Sequence, residues 1–555
     1  MEERLWHKAY PPQLGPTLDY EKVTLPEALA RTTRNYPDRT ALIMMGKKIR
    51  YRELDEQVNR FAAALERLGV RKGDKVAVVL PNLPQMVVAT YALFRLGAVV
   101  VMNNPLYTER ELAHQLSDSD SKMVICMDLV LPKILAVKDR TRIETVIVCH
   151  IRDDLPFPAK HLFPILKKQM HRKTLPSDGA LEFMDVLRNA PSDPPLTDVA
   201  FEDLACLMYT GGTTGVSKGV MLSHANVSIN VQQFRALLFD AEEGKETVIG
   251  ILPFFHAAGF TAGMNHCIYR GFTHALVPRP DADALLKLTV KHRPAYFGCV
   301  PTLYVGILHH PDFPKHDLSF IKGCISGAAP LAVETLREWE ERVGAPIIEV
   351  YGMTEMSPVS HANPWRGTMK PGSVGIPLPD TDCRIVDVET ASRDLPVGEP
   401  GEILLKGPQM SRGYYKRPEE TAEAFRDGWF HTGDVGYMDE EGYLYIVDRK
   451  KDMIICGGFN VYPREIDEVL FEHPKVKEAC AVGLPDPYRG ETVKAFIVPR
   501  DGETLTEEEI VAYCKEKLAP YKVPKRIEFA RELPKSAIGK VLRRELREME
   551  QKRAK

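Results

Sequence analysis

The chain of 555 residues carries 73 Lys and Arg against 76 Asp and Glu, a formal charge of −3, with 44% hydrophobic, 27% charged and 8% aromatic residues. At roughly 150 residues per domain this is three or four folding units of an ordinary soluble globular protein. The composition excludes a disordered tail, a disulfide-scaffolded mini-protein, a collagen and a coiled-coil rod, and the near-neutral charge argues against a dedicated nucleic-acid binder. The ten cysteines form no CxxC pair, and most sit in apolar runs such as Leu204-Ala205-Cys206-Leu207, as small core residues of a reducing compartment do. The start, Met1-Glu2-Glu3-Arg4, lacks the apolar run of a signal peptide, and Met86 to Met102 is too short and too interrupted to span a membrane. A cytoplasmic protein is expected.

In chain order, Leu54, Val58, Phe61, Leu65 and Leu68 form a helical stripe stopped by Gly69. A buried strand is predicted at Val76–Leu80, a helix from about Pro84 to Gly97, and strands at Ala98–Met102, Lys122–Met127 and Val146–Cys149. This is β-α-β grammar with a sheet covered on both faces. The stretch Phe157 to Lys173 breaks it by mixing aromatics with Lys, Arg and His. It reads either as a surface loop or as a peripheral membrane contact, with apolar residues in the headgroup region and lysines on anionic lipid. From about Gly375, short strands with Gly and Pro turns predict a small antiparallel sheet or distorted barrel over 375–447. A boundary is expected near Lys450. A mixed α/β segment follows, with a capping box at Thr506 and Glu509.

The most informative residues are Thr210-Gly211-Gly212-Thr213-Thr214-Gly215-Val216-Ser217-Lys218-Gly219, directly after the apolar strand Leu204–Met208. Glycines let backbone N–H groups approach phosphate oxygens, hydroxyls add donors, and Lys218 adds charge. The order Ser-Lys-Gly is not that of a Walker P-loop, and no GxGxxG occurs to suggest a dinucleotide fold.

With this loop the sequence resembles the adenylate-forming superfamily of acyl-CoA synthetases, peptide-synthetase adenylation domains and firefly-type luciferases. Further motifs follow in the family's order: Leu252-Pro253-Phe254-Phe255-His256, Gly327-Ala328-Ala329-Pro330, Tyr351-Gly352-Met353-Thr354-Glu355, Trp429 to Asp434, Asp448-Arg449-Lys450-Lys451-Asp452 and Pro534 to Lys540. Thr-Gly-Gly-Thr-Thr-Gly resembles the bacterial long-chain fatty acid branch. The resemblance implies an α/β fold. Residues 1–449 would form a large ATP- and acyl-binding domain of two doubly wound α/β subdomains plus a small distorted β-barrel. Residues 450–555 would form a small mobile α+β lid.

The activity implied is ATP-dependent: a carboxylate attacks the α-phosphate, pyrophosphate leaves, and the CoA thiol displaces AMP from the acyl-adenylate. The family pattern assigns Thr213, Thr214 and Lys218 to the β- and γ-phosphates, with Thr210, Gly211, Gly212 and Gly215 completing the loop, and Glu355 with Thr214 to Mg²⁺. Thr354 falls on the α-phosphate, Gly327, Ala328, Ala329, Tyr351 and Gly352 on adenine, and Asp434 with Arg449 on the ribose. Lys540 would bridge carboxylate and phosphate, Lys451 would be the hinge, and Gly457, Gly458, Phe459 and Asn460 would reach the CoA channel. His256 is assigned to gating beside the acyl site, with a packed core histidine as the other reading. Phe255, Ala258, Gly259 and Phe260 would complete the acyl pocket.

The run Ala257 to Gly263 has no charged residue to pair with an amino group, which disfavours amino acids. Its small residues suit a long apolar channel or, equally, close helix packing. The resemblance favours a medium- or long-chain fatty acid over an aryl or shorter acid. An acyl-AMP ligase loading a separate carrier protein, a luciferase-type oxygenase and a nucleotide- or lipid-sensing pseudoenzyme stay open. The partners expected are small molecules and no nucleic acid, with a homodimer left open.

Overall fold

The computed structural model describes residues 4–191, 197–210, 217–279, 281–329, 331–456, 459–486, 490–536 and 539–553. Among them, one large sheet has seven strands in the order Leu181–Glu182, Thr145–Cys149, Met123–Met127, Lys75–Val79, Val99–Met102, Leu204–Thr210 and Lys218–Ser223. Every neighbouring pair is parallel except the last, which is antiparallel. A second sheet of nine strands runs from Ile376–Pro377 through Val359–Ala362, Ile347–Gly352, Gly323–Ser326, Tyr296–Cys299, Thr247–Gly250 and Thr273–Leu276 to Thr40–Met44 and Lys47–Arg50, parallel across its centre. The predicted strands therefore occur where the apolar runs placed them, as parallel strands buried on both faces require.

The helix Pro84–Arg95 is the clearest case. Every residue from Pro84 to Phe94 is buried, as an apolar-all-round helix must be. Arg95 at its end is neutralised by Asp55 at 2.5 Å. The helix Tyr51–Arg67 buries Leu54, Val58, Phe61 and Leu65. Leu68, assigned to the same stripe, instead caps the helix and is exposed, because the chain turns out of the helix there.

The segment 382–449 forms an open five-stranded antiparallel sheet, with Asp382–Val386, Gly401–Lys406, Trp429–Met438 and Phe425–Arg426 in order and Leu444–Arg449 on Trp429–Met438. It does not close, which corrects the barrel expectation: alternation along strands reports a half-buried face but not closure. A further sheet lies wholly after residue 450, built from Ile454–Cys456, Phe459–Val461, Val476–Asp486, Gly490–Pro499 and Arg526–Phe529. Its apolar clusters, one around Ile466 and Ala495 and one around Phe496 and Leu546, contain only residues beyond 453. Thr506 accepts from the Glu509 N–H at 3.2 Å and caps the helix Glu507–Lys517. All ten cysteines are buried and free. Among the described residues no helix is long and apolar enough to cross a membrane.

Leu93 is fully buried in the Pro84–Arg95 helix. Leu93→Ala is expected to lower the unfolding free energy by about 2–5 kcal/mol, read as a reduced urea midpoint at constant slope.

Candidate active site

The phosphate-loop candidate is a hairpin connection. Leu204–Thr210 pairs antiparallel with Lys218–Ser223, so that Thr210 lies opposite Lys218. Gly211, Gly212, Thr213, Thr214 and Gly215 lie outside the described residues. The segment around Gly413 runs along the return strand: the Tyr415 N–H donates to the Gly219 carbonyl at 2.8 Å, and the Met221 N–H to the Gly413 carbonyl at 2.9 Å. This places the Tyr414 ring 5.2 Å from the Lys218 ammonium. The Tyr414 hydroxyl donates to Glu355 Oε1 at 2.9 Å. Tyr414, absent from the motif reading, thus joins two predicted residues that lie far apart in the chain.

Glu355 and Thr354 sit in a short turn after the strand Ile347–Gly352. A Cβ at Gly352 would stand 1.9 Å from the Pro358 carbonyl oxygen, so this close return of the chain demands glycine. Glu355 is buried, and burial pushes its carboxyl pKa up against the opposing effects of the Tyr414 hydroxyl and the Arg449 charge. A buried carboxylate whose hydrogen-bond partner is a neutral hydroxyl is the donor set that a hard cation completes. The residues present therefore fit Mg²⁺.

The adenine-side candidates Gly327, Ala328 and Ala329 follow the strand Gly323–Ser326, the parallel neighbour of Ile347–Gly352. The two loops emerge side by side at the carboxyl ends of parallel strands, where open α/β sheets bind ligands. A Cβ at Gly327 would press on Val350 Cγ2 at 2.8 Å, and Ala328 is left-handed at φ +69°, a strained conformation for alanine. The Tyr351 hydroxyl donates to Asp434 Oδ2 at 2.7 Å, and Arg449 Nε lies 3.3 Å from Asp434 Oδ1. Asp434 and Arg449 face each other across adjacent antiparallel strands.

The segment beyond residue 450 meets this cluster. The Ser536 N–H donates to the Lys540 carbonyl at 2.8 Å, and Gly539 is left-handed. A Cβ at Gly539 would stand 2.9 Å from Thr302 Oγ1, so Gly539 rests against the large domain. The Lys540 ammonium is shielded there. Burial lowers its pKa to about 8, Arg449 pushes the same way, and Asp434 opposes them. Ala537, Ile538, Gly457 and Gly458 lie outside the described residues. Phe459 and Asn460 belong to a strand paired with Ile454–Cys456. Burial also lowers the Lys451 pKa, and next to it Arg547 holds Asp452 at 3.3 Å.

Phe255 and His256 precede a π-helix over Ala258–Asn265. The His256 ring lies 4.8 Å from the Phe255 ring. Its Nε2 has no partner among the described residues, and burial takes its pKa to about 4. The ring is therefore neutral near pH 7 and has no proton to give as an imidazolium. A Cβ at Gly259 would lie 2.1 Å from the Pro253 carbonyl oxygen, so packing alone accounts for this glycine. Phe260 is fully buried, edge-on to Phe94, and Ala258 is half-buried. Farther along the π-helix, Ala262 and Gly263 border an apolar cavity of about 50 Å³ with Leu238, Gly250, Ile325 and Gly298. Gly250 and Gly298 were not singled out from the sequence. Their signal is a lone glycine within an apolar strand, the mark of a close approach.

The model of the AMP-binding enzyme family matches residues 29–415, and that of the AMP-binding enzyme C-terminal domain matches residues 465–540. The chain belongs to this family, the adenylate-forming superfamily. It is 45% identical to a long-chain-fatty-acid–CoA ligase of Bacillus subtilis, covering 99% of this chain and 98% of that one. It is 38% identical to the Escherichia coli O6:H1 protein of the same description, covering 98% of each. ATP-bound MatB from Rhodopseudomonas palustris superposes with a TM-score of 0.85 at 32% identity, covering 96% of this chain and all of that one.

Asp434→Asn would keep shape but remove the charge that Arg449 and Tyr351 face. AMP affinity by calorimetry is expected to fall roughly tenfold or more, as for the loss of a charged hydrogen-bond acceptor.

Proposed function

We propose that the protein is an ATP-dependent ligase that activates a medium- or long-chain fatty acid as the acyl-adenylate, releases pyrophosphate, and passes the acyl group to CoA. The observation that carries this reading is the shielded Lys540 ammonium set against the Asp434–Arg449 pair, in a chain similar along its whole length to proteins described as long-chain-fatty-acid–CoA ligases.

In the first half-reaction a carboxylate oxygen bonds to the α-phosphorus as the bond to the β-phosphate oxygen breaks. An anion approaches an anion, so positioning and charge neutralisation supply the catalysis. Asp434 accepts from the ribose hydroxyls, and Arg449 and Tyr351 hold its carboxylate in place. Thr354 contacts the α-phosphate, and Tyr351 and the 327–329 loop flank adenine. Lys218, with Thr213 and Thr214, holds the outer phosphates. Glu355 and Thr214 would hold Mg²⁺, which would supply further neutralisation of phosphate charge. Lys540 stabilises the charge that redistributes between carboxylate and α-phosphate. In the second half-reaction the thiol sulfur bonds to the acyl carbon and AMP leaves. The body 1–449 and the lid 450–555 turn about Lys451, withdrawing Lys540 and bringing the 457–460 loop to the CoA channel. The apolar cavity beside Ala262 and Gly263, whose walls carry no carboxylate, lysine or arginine, supports an aliphatic substrate. Each methylene it accepts contributes about 0.8 kcal/mol.

A peripheral contact with a membrane surface belongs to the same reading, because it places the enzyme at the source of a poorly soluble acid. It is supported by the helix Ala159–Leu166 and its flanks, where Phe157, Leu162, Ile165 and Leu166 are 85%, 45%, 65% and 71% exposed. The exposed Lys167, Lys168 and Lys173 lie alongside and complement anionic lipid at about 1 kcal/mol each.

Pyrophosphate release measured with acids of graded chain length and with aryl acids is expected to rise with aliphatic length and to yield thioester only with CoA. Release favouring aryl acids, or acyl-AMP discharged only to a carrier protein, overturns the substrate assignment. Lys540→Ala is expected to lose at least ~100-fold in adenylation yet to make thioester from supplied acyl-adenylate. In the native protein adenylation should decline as pH rises through about 8, where Lys540 loses its proton, and Lys540→Arg should remove that decline. Sedimentation with anionic vesicles should exceed that with neutral ones, and Phe157→Asp with Ile165→Asp should reduce it about tenfold or more.

A further inference from the structure

After the strand Thr145–Cys149 the chain leaves the seven-stranded sheet at His150 and rejoins it at Leu181–Glu182, with Val148 opposite Glu182. The intervening excursion contains the exposed Ala159–Leu166 helix, which buries none of its residues. Four side chains meet at its base. Asp128, just after the neighbouring strand Met123–Met127, and His150 are each 1% exposed, whereas His171 retains 12%. His150 Nδ1 lies 2.9 Å and His171 Nδ1 3.1 Å from the same oxygen, Asp128 Oδ2. His150 Nε2 lies 2.9 Å from Glu182 Oε2. The Arg172 N–H also donates to Asp128 Oδ2, and the Leu129 N–H to Oδ1.

His150 faces a carboxylate oxygen at each ring nitrogen, but a neutral imidazole has one N–H to give. With that hydrogen on Glu182, the Nδ1 lone pair points at Asp128 Oδ2 beside a second imidazole nitrogen. The three ligand atoms all lie within 4.8 Å of one another. Bonds of about 2.0–2.1 Å to a tetrahedral ion give ligand–ligand edges of about 3.3 Å, so the observed 2.9 and 3.1 Å need to open by only a few tenths of an ångström. An outer carboxylate accepting from the far nitrogen of a ligating histidine is the arrangement that orients such ligands in metal sites. Two imidazoles and a carboxylate without a thiolate suit zinc-class ions rather than Mg²⁺ or Ca²⁺.

We propose that Asp128, His150 and His171 form a binding site for a zinc-class divalent ion, oriented by Glu182, that fastens the base of the 151–180 excursion to the sheet. The fourth position faces the partly open side, where His171 and Glu182 reach solvent, and is left to water. The site is structural and separate from the nucleotide chemistry. Leu181–Glu182 is one edge of the seven-stranded sheet, and Lys218–Ser223, the return strand of the phosphate loop, is the other.

The full-length protein, stripped with a chelator, should bind one equivalent of Zn²⁺ in competition with a chromogenic chelator. It should also take up Co²⁺ with the visible absorption of a tetrahedral nitrogen–oxygen site. His171→Gln, at the more exposed ligand, should weaken Zn²⁺ binding at least 100-fold and abolish the cobalt band, with an unchanged circular dichroism spectrum. Glu182→Gln should retain the band and lose about 10–100-fold in affinity. Zinc should also slow proteolysis within the excursion. Zn²⁺ binding equal in the native protein and in His171→Gln, or no binding by the native protein, overturns the proposal and leaves the cluster a hydrogen-bonded imidazolium between two carboxylates.

Discussion

Two cations share one carboxylate where the two domains of this protein meet. Arg449 pairs with Asp434, and the shielded Lys540 ammonium lies within the field of both. Burial, Arg449 and Arg543 push the Lys540 proton off; Asp434 and Asp452 hold it on. Two positive charges against one negative leave this cluster with an anion as its natural complement. Under the proposed function the phosphates of the nucleotide would supply it, and closure would then depend on what occupies the site.

The packing suits such dependence. The apolar clusters beyond residue 453 are closed on themselves, so the turn proposed for the lid would unpack neither of them. What crosses between the domains is mostly polar. Next to the connection, Lys450 reaches Glu402 at 3.0 Å, and Arg543 of the lid lies 3.7 Å from Asp448. Asp448 accepts from the Arg464 N–H at 2.7 Å. Polar contacts of this kind exchange readily for water, whereas a continuous apolar seam would not. Glu349, on the strand leading to Tyr351, is buried facing Arg464 and Glu468 of the lid, and burial lifts its pKa to about 7.

Much of this was legible in the residues. Continuous apolar runs located the parallel strands, since a strand buried on both faces has no polar alternation to preserve. The glycine- and threonine-rich stretch located the hairpin, and its density told more than its spacing. Other features left no local trace. Tyr414 matters because the 411–415 segment lies beside Gly219 and Met221, a long-range pairing that periodicity does not encode. The open edge of the 382–449 sheet reads the same as a barrel, because closure is a property of strand order. The run Ala257–Gly263 suited a long channel and close helix packing equally. Packing against Pro253 claims Gly259, and the cavity falls instead to Ala262 and Gly263, a division that only a π-helical turn produces. His150 and His171 are too far apart in sequence to resemble any ligand motif, and the excursion between them hid their meeting.

The ten cysteines are all buried, and burial raises the thiol pKa of Cys126, Cys206, Cys267 and others. Nucleophilic attack needs the thiolate, so the native chain presents a chemically silent background to electrophiles and oxidants. A buried thiol is a poor competitor for a reactive acyl group, because it must first be exposed and ionise. The same silence makes the molecule a ready frame for optical labels. A cysteine placed at the exposed Lys515 of the lid would stand as the reactive thiol on an otherwise inert surface, and its fluorophore would report the lid's position through each turnover.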